Sequence, residues 1–119
     1  VSRRVLIADG SADAADSLAE LLRLYGHVPH VARSGPEAVD LAAAHRPDAA
    51  FLSMTLAGLD GCGVARALAA ASYRPQLLVA LTGRSTAADR AAAAAAGFDH
   101  YMLKPADPPE LVRLLDGLS

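Results

Sequence analysis

The sequence predicts an α/β domain in which a mostly parallel sheet carries helices on both faces. Short apolar runs alternate five times with stretches of helical periodicity, and strands joined through helices pair in parallel with right-handed crossovers. The runs are continuously apolar, as strands covered on both faces are. Each ends abruptly at small or polar residues, and the helical stretches carry start and stop signals.

Arg4-Val5-Leu6-Ile7-Ala8 is the first strand, ended by Asp9-Gly10-Ser11. Ser11 is the expected N-cap of the first helix, with Asp13 and Asp16 suited to its positive end. Leu18, Leu21, Leu22 and Tyr25 follow at helical spacing as its apolar face, and Gly26 is a C-terminal stop. Residues 28–32 form a weaker second strand. Pro29 cannot donate to a ladder, which places that strand at an edge. Ser34-Gly35-Pro36-Glu37 reads as a capping box with proline in the first turn. The helix it starts runs to about His45, where Arg46-Pro47-Asp48 breaks it. The third strand starts at Ala49 and runs to Leu52. A loop through Gly58 and Gly61 leads into a helix over about 62–71, and 72–76 is a turn. The fourth strand, from Leu77 to Leu81, is the most apolar and ends at Thr82-Gly83. An alanine-rich helix from Thr86 to Ala96 is stopped by Gly97. His100-Tyr101-Met102-Leu103 is a short fifth strand ending at Lys104-Pro105. Asp107-Pro108-Pro109-Glu110 reads as a second capping box, and Leu111, Val112, Leu114, Leu115 and Leu118 supply the last apolar face.

With 119 residues the chain is expected to be a single domain, 1–119, large enough to bury a core without disulfides or metal. Apolar residues make up 53%, but close to a quarter of the chain is alanine, which adds more helix propensity than burial. The net charge of −2, with scattered Lys and Arg and no basic stripe, disfavours nucleic-acid binding. A single cysteine, Cys62, rules out an internal disulfide and fits a reducing compartment. No apolar run reaches membrane-spanning length and no signal peptide is seen, so the expectation is a cytoplasmic domain without a membrane partner.

In open α/β sheets, sites are built where strands end at their carboxyl edge. Here Asp9 follows the first strand, Ser53 the third, Thr82 the fourth and Lys104 the fifth. That set, with Gly58-Leu59-Asp60-Gly61, Leu81-Thr82-Gly83, Ala96-Gly97-Phe98-Asp99-His100-Tyr101 and Lys104-Pro105, resembles the receiver domain of two-component response regulators over essentially the whole chain. The wording is most similar to receivers attached to hybrid histidine kinases. The resemblance implies a flavodoxin-like (βα)5 three-layer sandwich with a five-stranded parallel sheet in the order 2-1-3-4-5. It implies that Asp9 matches the first of two Mg²⁺-holding acids, Thr82 the switch hydroxyl, Tyr101 the switch aromatic and Lys104 the lysine that contacts an acyl phosphate.

Two positions depart from that pattern. Gly10 stands where the second acid is expected, and Ser53 where the family's phosphoacceptor aspartate is expected; Ala57 replaces a common loop proline. Mg²⁺ prefers near-octahedral oxygen ligands including carboxylates, and only Asp9 and the backbone carbonyl near Thr55 remain as candidates. Weak or absent Mg²⁺ binding and no other cofactor are therefore expected. Three acids and one lysine sum to −2, whereas Asp9 and Lys104 sum to zero. Lys104 is expected to turn to Asp9 or to the Ser53 hydroxyl and close the pocket. Ser53 lacks a base at a strand end and the glycine-flanked elbow of a hydrolase, so no enzyme activity is expected.

The resulting expectation is a pseudo-receiver, a phosphorylation-independent interaction or regulatory module. Its partner would be a histidine kinase or other domains of its parent chain, with a homodimer through the 87–118 face a further expectation. The alternatives are a working receiver using another acceptor, with Asp60 the nearest acid, and a small anionic ligand bound at Lys104. Other features are bland. His27, His30, His45 and His100 lack metal-ligand spacing. Gly61-Cys62-Gly63 lacks the third glycine of a dinucleotide fingerprint, Arg66 standing there. Asp13 and Asp16 lack the rest of a calcium loop.

Overall fold

The structure, a computed structural model, describes residues 2–83, 86–104 and 106–118. Ten elements alternate along the chain: β1 (Arg4–Ala8), α1 (Ala12–Leu24), β2 (Val28–Ala32), α2 (Gly35–His45), β3 (Ala49–Ser53), α3 (Gly61–Ala70), β4 (Leu77–Thr82), α4 (Ala87–Ala96), β5 (His100–Leu103) and α5 (Pro108–Asp116). The sheet has five strands in the order β2-β1-β3-β4-β5, and every pairing is parallel. This is the flavodoxin-like arrangement that the resemblance implied. Pro29 lies in β2 at the sheet edge, as its missing donor requires.

The chain moves outward one way to β2 and the other way to β3, β4 and β5. Right-handed crossovers therefore put α1 and α5 on one face and α2, α3 and α4 on the other. Successive strand residues point to opposite faces, so each apolar run serves two cores. Val5, Ile7, Phe51, Val79 and Leu81 pack with Ala19, Leu22, Leu111 and Leu115 on the α1/α5 side. Leu6, Ala8, Leu52 and Leu78 pack with Ala38, Ala42, Val64 and Leu68 on the other. Phe51 and Leu52 are completely buried, and burying each such side chain is worth about 1.5–3 kcal/mol. Among the described residues, no helix is long and apolar enough to cross a membrane.

The caps form with some differences from expectation. Ser11, Ser34, Asp60 and Thr86 each accept a first-turn backbone N–H with the side chain. Glu37 closes its box one residue further back than expected, accepting from the Arg33 N–H. Asp107 makes no side-chain cap. Prolines at the next two positions remove donors, and the Glu110 N–H bonds the Asp107 backbone carbonyl at 3.0 Å instead. Tyr25 is not part of the buried face of α1. It is the C-cap residue and 53% exposed, because the helix ends one residue earlier and its buried stripe is Ala15, Ala19 and Leu22. The third helix starts at Gly61 because Asp60 caps it, accepting from the Gly63 N–H at 2.7 Å. The third and fourth strands each extend one residue further, through Ser53 and Thr82.

Candidate functional site

Four strands end at one rim, and backbone hydrogen bonds fix what stands there. The Asp9 N–H donates to the Ala32 carbonyl at 3.1 Å, the Met54 N–H to Leu81 at 2.9 Å and the Lys104 N–H to Thr82 at 2.7 Å. These continue the ladders past the last strand residues and hold Asp9, Ser53, Thr82 and Lys104 in register. Gly61 closes the loop below β3: a Cβ there would fall 2.5 Å from the Ser53 carbonyl oxygen, so only glycine lets the helix start this close.

Lys104 reaches across the rim. Its Nζ is 2.9 Å from Asp9 Oδ2 and donates to Ser53 Oγ at 3.0 Å. The sequence suggests one of these partners; the structure has both. The other Asp9 oxygen accepts from the Ser11 N–H at 3.0 Å. Ser53 Oγ donates to the Thr55 carbonyl at 3.2 Å and accepts from the Thr55 N–H at 3.4 Å. Asp9 and Ser53 are buried, at 6% and 3% exposure, and Lys104 caps them with a side chain 32% exposed. Among the described residues no buried side-chain nitrogen or oxygen lacks a partner.

The residual metal candidates are thus both engaged. Asp9 is paired with a cation, and the Thr55 carbonyl accepts the Ser53 hydroxyl. Gly10 is exposed, adds no ligand, and has open space where a side chain would start. Among the described residues no cluster of three or more His, Cys, Asp or Glu comes together. The donor set does not fit Mg²⁺, which wants several hard, uncommitted oxygens. Among the described residues no base takes the Ser53 proton, and the nearby Lys104 amine donates to Ser53 Oγ. The Ser53 proton rests on a carbonyl, and His27 and His100 stand at the amino ends of β2 and β5, the opposite edge of the sheet.

Thr82 is buried at the end of β4. Tyr101 is half-buried on β5, with the Arg90 guanidinium of α4 5.6 Å from its ring centre. Asp60 is committed to capping α3. Pro105, part of the expected Lys104-Pro105 turn, lies outside the described residues. Cys62 is buried and packs in the core; burial and the nearby Asp60 push its thiol pKa up, the direction of an unreactive thiol. Sequence reasoning missed a cleft between α1 and the start of α5 that opens onto Asp9 and Lys104.

The family description "Response regulator receiver domain" matches residues 5–116. The chain belongs to the response regulator receiver family. Among curated relatives, the transcriptional regulatory protein PrrA of Mycobacterium tuberculosis is 39% identical over 117 residues, covering 98% of this chain and 50% of its own length. Response regulator MprA of Mycolicibacterium vanbaalenii is 36% identical over 115 residues, covering 97% of this chain and 49% of its own. The chain spans about half the length of these relatives. Among solved structures, the receiver domain of sensor histidine kinase PA1611 from Pseudomonas aeruginosa, crystallised with magnesium in its active-site cleft, superposes with a TM-score of 0.86 at 27% identity, covering 98% of this receiver and 96% of that chain. The chemotaxis protein CheY4 of Vibrio cholerae shares the fold over the full length of both chains, with a TM-score of 0.89 at 20% identity. Both a transcriptional regulator and a histidine kinase therefore occur among the parents of similar receivers.

Proposed function

We propose that this receiver works without aspartyl phosphorylation, as a non-catalytic interaction or regulatory module in two-component signalling in the cytoplasm. The observation that carries the reading is the placement of Lys104 Nζ, 2.9 Å from Asp9 and 3.0 Å from Ser53. A phosphoryl acceptor at the end of β3 needs a carboxylate, with a divalent ion neutralising the transferring oxygens. Here that position is a hydroxyl, and the one remaining acid is already neutralised by lysine. A phosphoserine would also be too stable to serve a relay that must reset.

The partner is a histidine kinase or other domains of the parent chain. The face formed by α4, β5 and α5, within 87–118, is the proposed contact and homodimer surface. It presents the small exposed side chains of α4, with Leu103 50% exposed beside them. Neither nucleic acid nor membrane is proposed as a partner of this domain. A working receiver using Asp60 is disfavoured by that carboxylate's capping bond to Gly63. An anionic ligand at Lys104 is disfavoured by the Asp9 pair.

Acetyl phosphate with Mg²⁺, followed by intact-mass analysis, tests the proposal. No phosphate adduct is expected. A stoichiometric adduct that hydroxylamine removes would overturn it.

A further inference from the structure

We propose that the cleft between α1 and the start of α5 binds an uncharged small molecule with an apolar body and a hydrogen-bonding oxygen at one end. The cleft holds about 530 Å³, within the roughly 300–1,000 Å³ typical of small-ligand sites. Ile7 and Leu81 form its floor; Ala14 and Leu18 of α1 face Ala106 and Pro108 across it. The space has a local cause. Further down the helices Leu22, Leu111 and Leu115 are larger side chains buried in one shared core. Near the rim, positions 14, 15 and 106 are all alanine and leave it open.

The polar end of the cleft is Asp9 with Lys104. Their charges cancel across 2.9 Å. A charged ligand would lose its hydration on entering an apolar cleft and find no uncompensated opposite charge. An uncharged one loses little. Lysine carries three N–H donors, and among the described residues two are directed to Asp9 and Ser53. The third is left for a carbonyl or hydroxyl oxygen of the ligand. The inference rests on the closed rim described above but not on the absence of phosphorylation.

The test uses prodan, an uncharged naphthyl ketone, and anilinonaphthalene sulfonate, an anion of similar size. Each is titrated into the ¹⁵N-labelled chain with amide shifts followed by NMR. Prodan is expected to bind saturably at one site, with shifts centred on Ala14, Leu18 and Ala106, and at least about tenfold more tightly than the sulfonate. Ala14→Leu, which suits a helix and fills the cleft, should weaken prodan by about tenfold while leaving the amide spectrum of the sheet unchanged. Asp9→Asn leaves the lysine charge uncompensated and should reverse the preference in favour of the sulfonate. Four results would each overturn the proposal: no saturable prodan binding, shifts that map instead to exposed Leu24, Tyr25 and Val28, indifference to Ala14→Leu, or equal affinity for the two probes in the natural chain. Neither probe needs Mg²⁺ or acetyl phosphate. A chain that took up phosphoryl yet bound prodan as described would therefore contradict only the proposed function.

Discussion

The two halves of the strand-end rim carry different chemistry on the same backbone. At β4 and β5, Thr82, Tyr101 and Lys104 are the residue types that a receiver is expected to hold. At β1 and β3, Asp9 is of the expected kind, while Gly10 and Ser53 bring no carboxylate. Both halves nonetheless keep their ladders in register, β1 with β3 through Ala8 and Leu52, and β4 with β5 through Thr82 and Leu103. The fold is held by apolar strands and helix caps, and the acids add charge to a rim that is already built. Lys104 links the halves, reaching from the end of β5 to the end of β1.

Restoring the acids should break the comparison most strongly. In EDTA, Gly10→Asp with Ser53→Asp crowds carboxylates around Asp9. Unit charges 4 Å apart repel by about 4 kcal/mol at an effective dielectric of about 20. Lys104 offsets part, so a net loss of about 2 kcal/mol is expected in denaturant unfolding. Gly10 has open space for its new side chain, so the carboxylate added there acts by charge and not by crowding. Millimolar Mg²⁺ should return it, since a ligand of the folded state at a hundred times its Kd contributes about 2.7 kcal/mol. A variant that stays weak in Mg²⁺ would show that more than charge separates the two halves.

Cutting the link is the next largest effect. Lys104→Met leaves Asp9 buried without its cation. Because the lysine is about a third exposed, the expected cost is about 1–3 kcal/mol, below that of a fully buried pair. In an Asp9→Asn background the same change should cost much less, giving a coupling of about 1–2 kcal/mol. Additivity of the two substitutions within about 0.5 kcal/mol would show that the contact contributes no stability.

The smallest effect lies away from the rim, where His30 of β2 stacks on His45 of α2 with ring centres 3.8 Å apart. Burial first, then the neighbouring His45 and Arg4, lower the His30 pKa below its ordinary 6.5. The unfolded chain therefore takes up this proton more readily than the folded one. The stability contribution is intact above about pH 6.5 and is lost as pH falls through the lower folded value. Urea unfolding at several pH values should show His30→Gln flattening that decline. An unchanged decline would place its source elsewhere.

Much of this was legible in the sequence because it is local. A buried strand such as Ala49–Ser53 declares itself by composition, and caps such as Ser34 and Thr86 by their spacing to the first turn. The closed rim follows from charge counting at the strand ends, although charge alone does not say that Lys104 holds Asp9 and Ser53 at once. Other features were not legible. Tyr25 has the right spacing for a buried face, but the helix ends before it. Asp107 has the composition of a cap, but two prolines remove the first two donors and the third, the Glu110 N–H, bonds the Asp107 backbone carbonyl instead of its side chain. Asp60 reads in the sequence as the nearest acid for an alternative acceptor, and its capping bond to Gly63 has no sequence signal as long as α3 is taken to start at Cys62. The cleft had no sequence signal at all. It is made by small residues far apart in the chain, Ala14 and Ala106, and by what α1 and α5 fail to fill between them.

The central claim is that the acid-poor half of the rim has been closed by Lys104 and no longer holds a divalent ion. Its most direct measurement is a pair of thermal melting curves of the natural chain, one in EDTA and one in millimolar Mg²⁺. The account predicts superimposable curves, because Asp9, Ser53 and the Thr55 carbonyl are all engaged. A midpoint several degrees higher in Mg²⁺ would contradict it, since mass action would then require a metal site in the folded protein.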